Sequence, residues 1–170
     1  FTNLTEKNYA FKAYTQDTAG NVNSTEKRNV NINFGPKITW VQNLGNVAGL
    51  AGGLRNVTIN FTAYDFDGFA DLNDSTANVN FTKGIVIRNS TSCFRIAGSG
   101  NYSNYSCVVG MWYYDSEGIW NINVSIADKN GNLGINNTNS FYYEYLYSFE
   151  MVPDYVNWSS MAIGEVNRSS

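Results

Sequence analysis

Apolar and polar residues alternate along much of this chain with a period of two, which is the pattern of β-strands that bury one face. Between Asn56 and Tyr64, the residues Val57, Ile59, Phe61 and Ala63 fall on one side, and Thr58, Asn60 and Thr62 on the other. The pattern recurs at Ala77, Val79 and Phe81, and from Trp120 to Ile126. No stretch has a convincing helical period, so the chain is predicted to be all-β.

Three further segments lack this alternation. Gly84 to Arg88 and Cys107 to Tyr114 are more continuously apolar, which is typical of strands that are fully covered or cross a sheet edge. Gly45 to Gly53 is rich in glycine and is predicted to be a flexible connector.

Two segments 111 residues apart have the same pattern. Asp17-Thr-Ala-Gly20-Asn21 matches Asp128-Lys-Asn-Gly131-Asn132, and an aromatic residue, Tyr9 or Trp120, precedes each aspartate by eight positions. Apolar residues alternate before and after each motif, so both copies are predicted to be long hairpins with an Asp/Gly/Asn turn. A 111-residue period fits one immunoglobulin-like antiparallel β-sandwich domain of about 100 residues.

The repeat divides the chain into a fragment of a tandem array. Residues 1–34 are predicted to be the C-terminal hairpin of a preceding domain, and 35–36 a short linker. Residues 37–146 are predicted to be one complete sandwich domain, and 147–170 the start of a following β domain. The first residues lead directly into a strand pattern, which suggests that the sequence starts inside a longer protein.

Polarity is supplied by neutral side chains rather than by charge. Charged residues make up 15% of the chain, against roughly 25% in an average domain, whereas it has 26 Asn and 27 Ser and Thr residues. The net charge of −3 offers no basic stripe, which argues against a nucleic-acid partner. Without a run of 18 apolar residues, direct membrane insertion of this segment is not predicted.

The pattern Asn-x-Ser/Thr, the acceptor for N-linked glycans, occurs 13 times, whereas the composition predicts about four occurrences. The sites are Asn3, Asn23, Asn56, Asn60, Asn73, Asn80, Asn89, Asn101, Asn104, Asn123, Asn136, Asn157 and Asn167. In a strand, residues i and i+2 share a face, so four pairs are predicted to point away from the core. They are Asn56 with Thr58, Asn60 with Thr62, Asn80 with Thr82, and Asn123 with Ser125. Glycosylation accounts for both the low charge and the excess of sites. The alternative is that solvent-facing strand positions rich in Asn and Thr generate the pairs without any sugar.

Cys93 and Cys107 lie in a stretch rich in Ser, Gly and Asn, and the chain has no histidine. The two cysteines do not form a Cys-x-x-Cys pair, and no histidine is present to complete a set of ligands, so the sequence does not suit a zinc site. A disulfide that closes one loop is the preferred prediction, and two buried free thiols are the alternative.

The segment between two alternating strands contains spaced carboxylates around Gly68. Calcium takes six to eight oxygen ligands from a flexible loop, so this segment is a candidate calcium site. The predicted ligands are Asp65, Asp67, Asp71 and Asp74. The alternative is a plain turn in which Asp and Asn side chains cap their own backbone amides.

Catalytic machinery is not evident. Without histidine, neither a Ser/His/Asp triad nor a histidine general base can form, and no nucleophile elbow or phosphate-binding glycine loop appears. The chain is predicted not to be an enzyme.

The sequence YYDSEGIWNINVSIADKNGN resembles the closing strands of immunoglobulin-like repeats of the polycystic-kidney-disease or bacterial Ig-like type. The residues that carry this pattern are Tyr114, Asp115, Gly118, Trp120, Asp128, Gly131 and Asn132. The segments DFDGFADLN and VPDYVNWSSMAIGEVN are also similar to stretches of archaeal surface proteins. The resemblance implies an extracellular, structural or adhesive role in a large cell-surface protein of an archaeon or a bacterium.

The preferred hypothesis is therefore a structural or adhesive repeat of a heavily N-glycosylated surface-layer or stalk protein. Its expected partners are neighbouring domains of the same chain, with cell-surface glycans or proteins as further candidates. The chief alternative is a carbohydrate-binding module of a secreted enzyme, in which tyrosines form a sugar-stacking platform. The tyrosines that are candidates for this platform are Tyr102, Tyr105, Tyr113, Tyr142 and Tyr147. A third alternative is a pilus-like subunit that donates a strand.

Overall fold

The structure, a computed structural model, describes Leu4 and residues 7–146, with only the backbone described at Asn31. This part of the chain contains twelve strands and no helix. The strands are β1 (Lys7–Phe11), β2 (Tyr14–Gln16), β3 (Val22–Ser24), β4 (Arg28–Ile32), β5 (Lys37–Val41), β6 (Asn46–Val47), β7 (Leu54–Tyr64), β8 (Leu72–Lys83), β9 (Val86–Ser99), β10 (Tyr102–Trp112), β11 (Gly118–Asp128) and β12 (Leu133–Tyr143). The all-β prediction is confirmed.

Strands β5 to β12 form one curled sheet that folds into two layers. The first layer has the order β5-β7-β10-β9, and the second has the order β8-β11-β12-β6. The pairing is antiparallel throughout, except that β6 runs parallel to β12. This order matches the immunoglobulin sandwich, in which strands A, B, E and D share one sheet and C, F and G the other.

Strand β9 connects the two layers. Its first residues, Val86 to Asn89, pair with β8, and Ser90 to Ser99 pair with β10. Two register shifts interrupt the second pairing, and bulges of this kind bend a strand. The strand therefore leaves one sheet and joins the other.

The alternation of the sequence decides which side chains enter the core. Ile59 and Phe61 of β7 are fully buried, as are Val79 and Phe81 of β8, and Trp120 of β11 is also fully buried. The predicted inward faces of these strands are thus confirmed. Rings pack in pairs within each layer: Phe61 stacks on Tyr105 at 5.0 Å, and Phe81 meets Phe141 edge-on at 4.7 Å.

Two predictions about the apolar and glycine-rich segments were partly wrong. Gly84 and Ile85 form the turn between β8 and β9, where Ile85 is 99% exposed, because a two-residue turn leaves its side chains in solvent. Asn46 and Val47, inside the predicted connector, form β6, and Val47 is buried. A short edge strand of two residues is too brief to produce an alternating pattern.

The hairpin of residues 7–32 repeats β11 and β12 pair for pair. Tyr9 lies opposite Val30, and the residues 111 positions later, Trp120 and Phe141, also lie opposite each other. The same correspondence holds for β2 and β3. Tyr14 lies opposite Ser24, and the residues 111 positions later, Ser125 and Ile135, also lie opposite each other.

The two turns of these hairpins also form the same hydrogen bonds. The Oδ1 atom of Asp17 accepts the backbone N–H of Asn21 at 2.8 Å, and Oδ1 of Asp128 accepts that of Asn132 at 2.8 Å. The side-chain amide of each asparagine donates to the other aspartate oxygen, again at 2.8 Å in both turns. Identical spacing therefore encodes identical turns.

Burial differs between the two copies. Phe11 and Val30 are 44% and 42% exposed, whereas the equivalent residues of the domain, Ile122 and Phe141, are 0% and 4% exposed. The apolar face that β11 and β12 bury against the first layer thus remains open to solvent on the hairpin of residues 7–32.

Burial of two tyrosines predicts alkaline sensitivity. Burial raises the pKa of Tyr143 and of Tyr105, and a hydrogen bond to Asp74 raises the pKa of Tyr105 further. Because the folded state holds these protons more tightly, their contribution to stability is complete below the unfolded pKa of about 10 and is lost as pH rises through the folded pKa.

We therefore expect the denaturation midpoint to fall above about pH 10. Urea titrations at pH 8 and pH 11 measure the fall. Tyr143→Phe should reduce the fall, and Tyr142→Phe, which alters an exposed neighbour, should leave it unchanged. Equal falls in both variants would contradict the assignment to Tyr143.

Candidate functional sites

The loop between β7 and β8 is held against the turn between β9 and β10. The N–H of Asp65 donates to the carbonyl of Asn101 at 2.9 Å, and the N–H of Phe69 donates to Gly100 at 3.0 Å. Gly68 has a φ of 101°, a backbone conformation that favours glycine and turns the loop back on itself. The loop thus has a defined shape.

Three of the four predicted calcium ligands converge in this loop. Carboxylate oxygens of Asp65, Asp67 and Asp71 all lie within 4.8 Å of one another. The Oδ2 atom of Asp71 is buried and has no hydrogen-bond partner among the described residues. Close carboxylates repel one another, and a hard cation that prefers oxygen ligands relieves that repulsion. The donor set therefore fits calcium.

Asp74 lies outside this group because β8 already begins at Leu72, so Asp74 belongs to a strand. Its carboxylate forms an ion pair with Arg95 and accepts a hydrogen bond from the Tyr105 hydroxyl at 2.7 Å. The turn alternative is also present, since Oδ1 of Asp65 accepts the N–H of Asp67 at 2.9 Å. Turn capping and cation binding use the same loop.

Calcium is expected to stabilise the protein. If the site has the millimolar affinity of extracellular modules, calcium at ten times the dissociation constant raises the free energy of unfolding by about 1.4 kcal/mol. Thermal melts with calcium and with chelator measure the shift. Asp71→Asn should abolish the shift, and Asp17→Asn, at an exposed turn, should preserve it. Identical melts with calcium and with chelator would contradict the site.

The disulfide predicted from the sequence is present. Cys93 on β9 and Cys107 on β10 lie directly opposite each other, with Cα atoms 4.1 Å apart. Cys107 is fully buried and belongs to the core. The bond therefore links neighbouring strands of one layer, and the free-thiol alternative is excluded.

The sequons follow the outward side of the strands. None of the ten described sequon asparagines is buried, while Asn3, Asn157 and Asn167 lie outside the described residues. The exposed ones are Asn23, Asn56, Asn89 and Asn104, and the half-buried ones are Asn60, Asn73, Asn80, Asn101, Asn123 and Asn136. Three sequon amide nitrogens donate hydrogen bonds within the fold: that of Asn101 to Phe66 at 2.8 Å, that of Asn123 to Thr82 at 3.1 Å, and that of Asn136 to Ile38 at 3.5 Å.

The candidate sugar-stacking tyrosines do not form one platform. Tyr105 is fully buried, and Tyr147 lies outside the described residues. Tyr102 and Tyr113 are exposed but lie at opposite ends of β10, a strand about 35 Å long. Tyr142 is exposed on β12 in the other layer.

An exposed aromatic cluster follows β10, and sequence reasoning recognised only part of it. The rings of Trp112 and Tyr114 stack at 5.6 Å, and Tyr113 meets Tyr114 edge-on at 5.2 Å. Asp115 holds the cluster in place, because its carboxylate pairs with Arg88 and accepts the N–H of Trp112 at 2.7 Å. The hydrogen bond to Asp115 raises the pKa of Arg88. In the sequence, the run Trp112-Tyr-Tyr-Asp is the pattern from which this cluster could have been predicted.

A cleft of about 340 Å³ lies beside this cluster. It is lined by Tyr113, Tyr114, Asp115, Ser116, Glu117, Tyr145 and Leu146. The cleft lies where the polypeptide leaves β12, at the opposite end of the sandwich from the calcium loop.

Comparison with protein families finds no family model that matches this chain, and comparison with curated proteins finds no matching relative. Within the part of the chain that the structure describes, no helix has the length and apolar character needed to span a membrane.

Proposed function

We propose that this chain is a structural or adhesive immunoglobulin-like repeat of a heavily N-glycosylated cell-surface protein. The observation that carries the proposal is the second copy of the β11–β12 hairpin at residues 7–32, with the same register and the same turn. A repeated domain is the simplest source of a repeated hairpin. Stacked sandwiches serve as rods that hold functional parts away from a surface.

The open face of the first hairpin supports a tandem arrangement. Tyr9, Phe11 and Val30 occupy the positions of Trp120, Ile122 and Phe141. In the complete domain these positions are buried against β7 and β10. The hairpin of residues 7–32 accordingly closes a preceding domain of the same kind, whereas the predicted start of a following domain, residues 147–170, lies outside the described residues.

The disulfide and the sequons support an extracellular location. Disulfides persist in oxidising compartments and are rare in the cytosol. A coat of neutral sugars on the outward faces also replaces the missing charge and protects edge strands from pairing with other chains. The role proposed is non-enzymatic.

Surface labelling tests the proposal. A membrane-impermeant amine reagent applied to intact source cells should modify this chain, and a cytosolic control protein should stay unmodified. Treatment of the labelled protein with a glycosidase should increase its mobility in a gel. Labelling that requires prior lysis of the cells would overturn the proposal.

A carbohydrate-binding module is the second candidate function, and the Trp112–Tyr114 cluster with its cleft is the observation that favours it. Exposed rings held in place by a partly buried salt bridge suit stacking on sugar rings. Tyr114→Ala should abolish binding on a glycan array, and Tyr102→Ala, at the other end of β10, should not. Absence of binding by the unaltered chain would dismiss this candidate.

A further inference from the structure

Asn104 lies at the centre of an exposed patch on the outer face of the first layer. On β10 it follows Tyr102 by two positions, so the two side chains share a face. Asn104 lies opposite Thr62 of β7 on one side and Ala97 of β9 on the other. Thr62 in turn lies opposite Trp40 of β5.

The surroundings of Asn104 are unusually apolar for an outer face. Four large side chains around it are more than half exposed: Trp40 at 52%, Phe94 at 52%, Tyr102 at 53% and Ile96 at 54%. Contiguous exposed apolar patches on a soluble domain normally mark a surface that something covers.

The amide of Asn104 is oriented by the fold. Its Oδ1 accepts the hydroxyl of Thr62 at 2.9 Å, and this bond does not use Nδ2, the atom that bears an N-linked sugar. A shallow depression of about 120 Å³ lies between Asn104, Tyr102 and residues 97–99 of β9. A first sugar attached to Nδ2 would therefore lie in this depression, beside the ring of Tyr102.

We propose that Asn104 carries an N-linked glycan whose first sugar packs on the ring of Tyr102, so that the glycan covers this patch. The inference rests on the proposed function, because it needs an N-glycosylating compartment. The donor is an oligosaccharide linked through phosphate to a polyprenyl lipid. The nitrogen Nδ2 forms a bond to C1 of the first sugar, the bond from C1 to the phosphate oxygen breaks, the lipid phosphate leaves with the electron pair, and Nδ2 loses one proton.

The surroundings of Asn104 differ from those of Asn60 and Asn123, two of the other sequon asparagines on strands. The residue two positions earlier is Thr58 for Asn60 and Asn121 for Asn123, so neither has an aromatic platform on its face. The amide nitrogen of Asn123 also donates to Thr82 in the fold. A glycan at Asn104 is therefore expected to contribute to stability, whereas glycans at Asn60 and Asn123 serve mainly solubility.

A double-mutant cycle tests the contact. The full chain is secreted from a eukaryotic host and trimmed by an endoglycosidase to one N-acetylglucosamine per site, as wild type, Asn104→Gln, Tyr102→Thr and the double variant. We expect Asn104→Gln to increase the unfolding equilibrium constant about fivefold more in the wild type than in the Tyr102→Thr background. Loss of the Thr62 hydrogen bond occurs in both backgrounds and cancels. The matched cycle of Asn60→Gln with Thr58→Ser, which keeps the Asn56 sequon, should show no coupling.

The outcomes separate this inference from the proposed function. Occupancy is measured by peptide mass spectrometry on protein from its own cells. If Asn104 is bare while other sequons are modified, or if the cycle shows no coupling, the inference falls and the proposed function stands. If every sequon is bare, both fall. If sedimentation shows a dimer that Phe94→Thr dissociates, a second copy covers the patch, and the inference is likewise overturned.

Discussion

Replacing Trp120 with alanine is expected to lower the free energy of unfolding by about 3–5 kcal/mol. The side chain is fully buried between the two layers, and its Nε1–H donates to the carbonyl of Ser116 at 3.0 Å. Truncation leaves a cavity in a core that interlocks side chains of both sheets, and it deprives the Ser116 carbonyl of its partner. A loss of this size is a large fraction of the stability of a typical domain.

Urea denaturation followed by circular dichroism measures this effect. Trp40→Ala is the matched control, because Trp40 lies on a strand of the same domain but is 52% exposed. Its expected cost is below about 1 kcal/mol, as for most surface substitutions. Equal losses in the two variants would mean that Trp120 is not the centre of the core.

Removing the disulfide is expected to lower the free energy of unfolding by about 3 kcal/mol, the chain-entropy value for a loop of 15 residues. Cys93 and Cys107 are 14 positions apart, so the bond closes a loop of that size. The bond also contacts the core, because Cys107 is fully buried there. Its loss therefore frees the unfolded chain and loosens the β9–β10 pairing at one point.

Two versions of this experiment separate the bond from the side chains. Reduction of the wild type with dithiothreitol removes the bond and keeps the sulfur atoms in the core, whereas a Cys93→Ala, Cys107→Ala variant also removes the sulfur atoms. Reduction should lower the urea midpoint of the wild type and leave that of the variant unchanged. A wild type with the same midpoint before and after reduction would contradict a stabilising role.

The strands that bury one continuous face could be predicted from the sequence, because alternation specifies burial directly. Phe61, Val79 and Trp120 follow from their period-two neighbours, and all three are fully buried. The turn at Asp128 was also readable, since Asp and Asn at a fixed spacing with an intervening glycine close the same hydrogen bonds in both copies. Local patterns that depend on one strand or one turn are thus visible.

Strand β9 was not predictable in the same way. It crosses between layers at Ser90, and its serine and arginine residues face partly inward, so no single face stays apolar along its length. Its extent is fixed by pairing with β8 and β10 and not by its own sequence. The same limitation applies to Asp74. The neighbouring sequence does not show whether Asp74 lies in the loop or on a strand, and its partner Arg95 belongs to the distant strand β9.

The patch around Asn104 was also invisible in the sequence. Alternation places Tyr102 and Asn104 on one face, but only the register of β5, β7, β9 and β10 brings Trp40 and Ile96 into their neighbourhood. Candidate calcium ligands were easier to identify because Asp65, Asp67 and Asp71 lie within one short loop. Sites assembled from distant strands therefore require the fold.

A peptide map of the protein from its own cells, prepared without reduction, tests the central claim most directly. The claim is that residues 37–146 fold as a sandwich whose asparagine-rich faces are exposed to an oxidising, glycosylating compartment. We expect the peptides of Cys93 and Cys107 to be recovered as one linked species, and oligosaccharide mass on exposed sequons such as Asn89 and Asn104. Recovery of both cysteines as free thiols, with every sequon asparagine unmodified, would contradict the account.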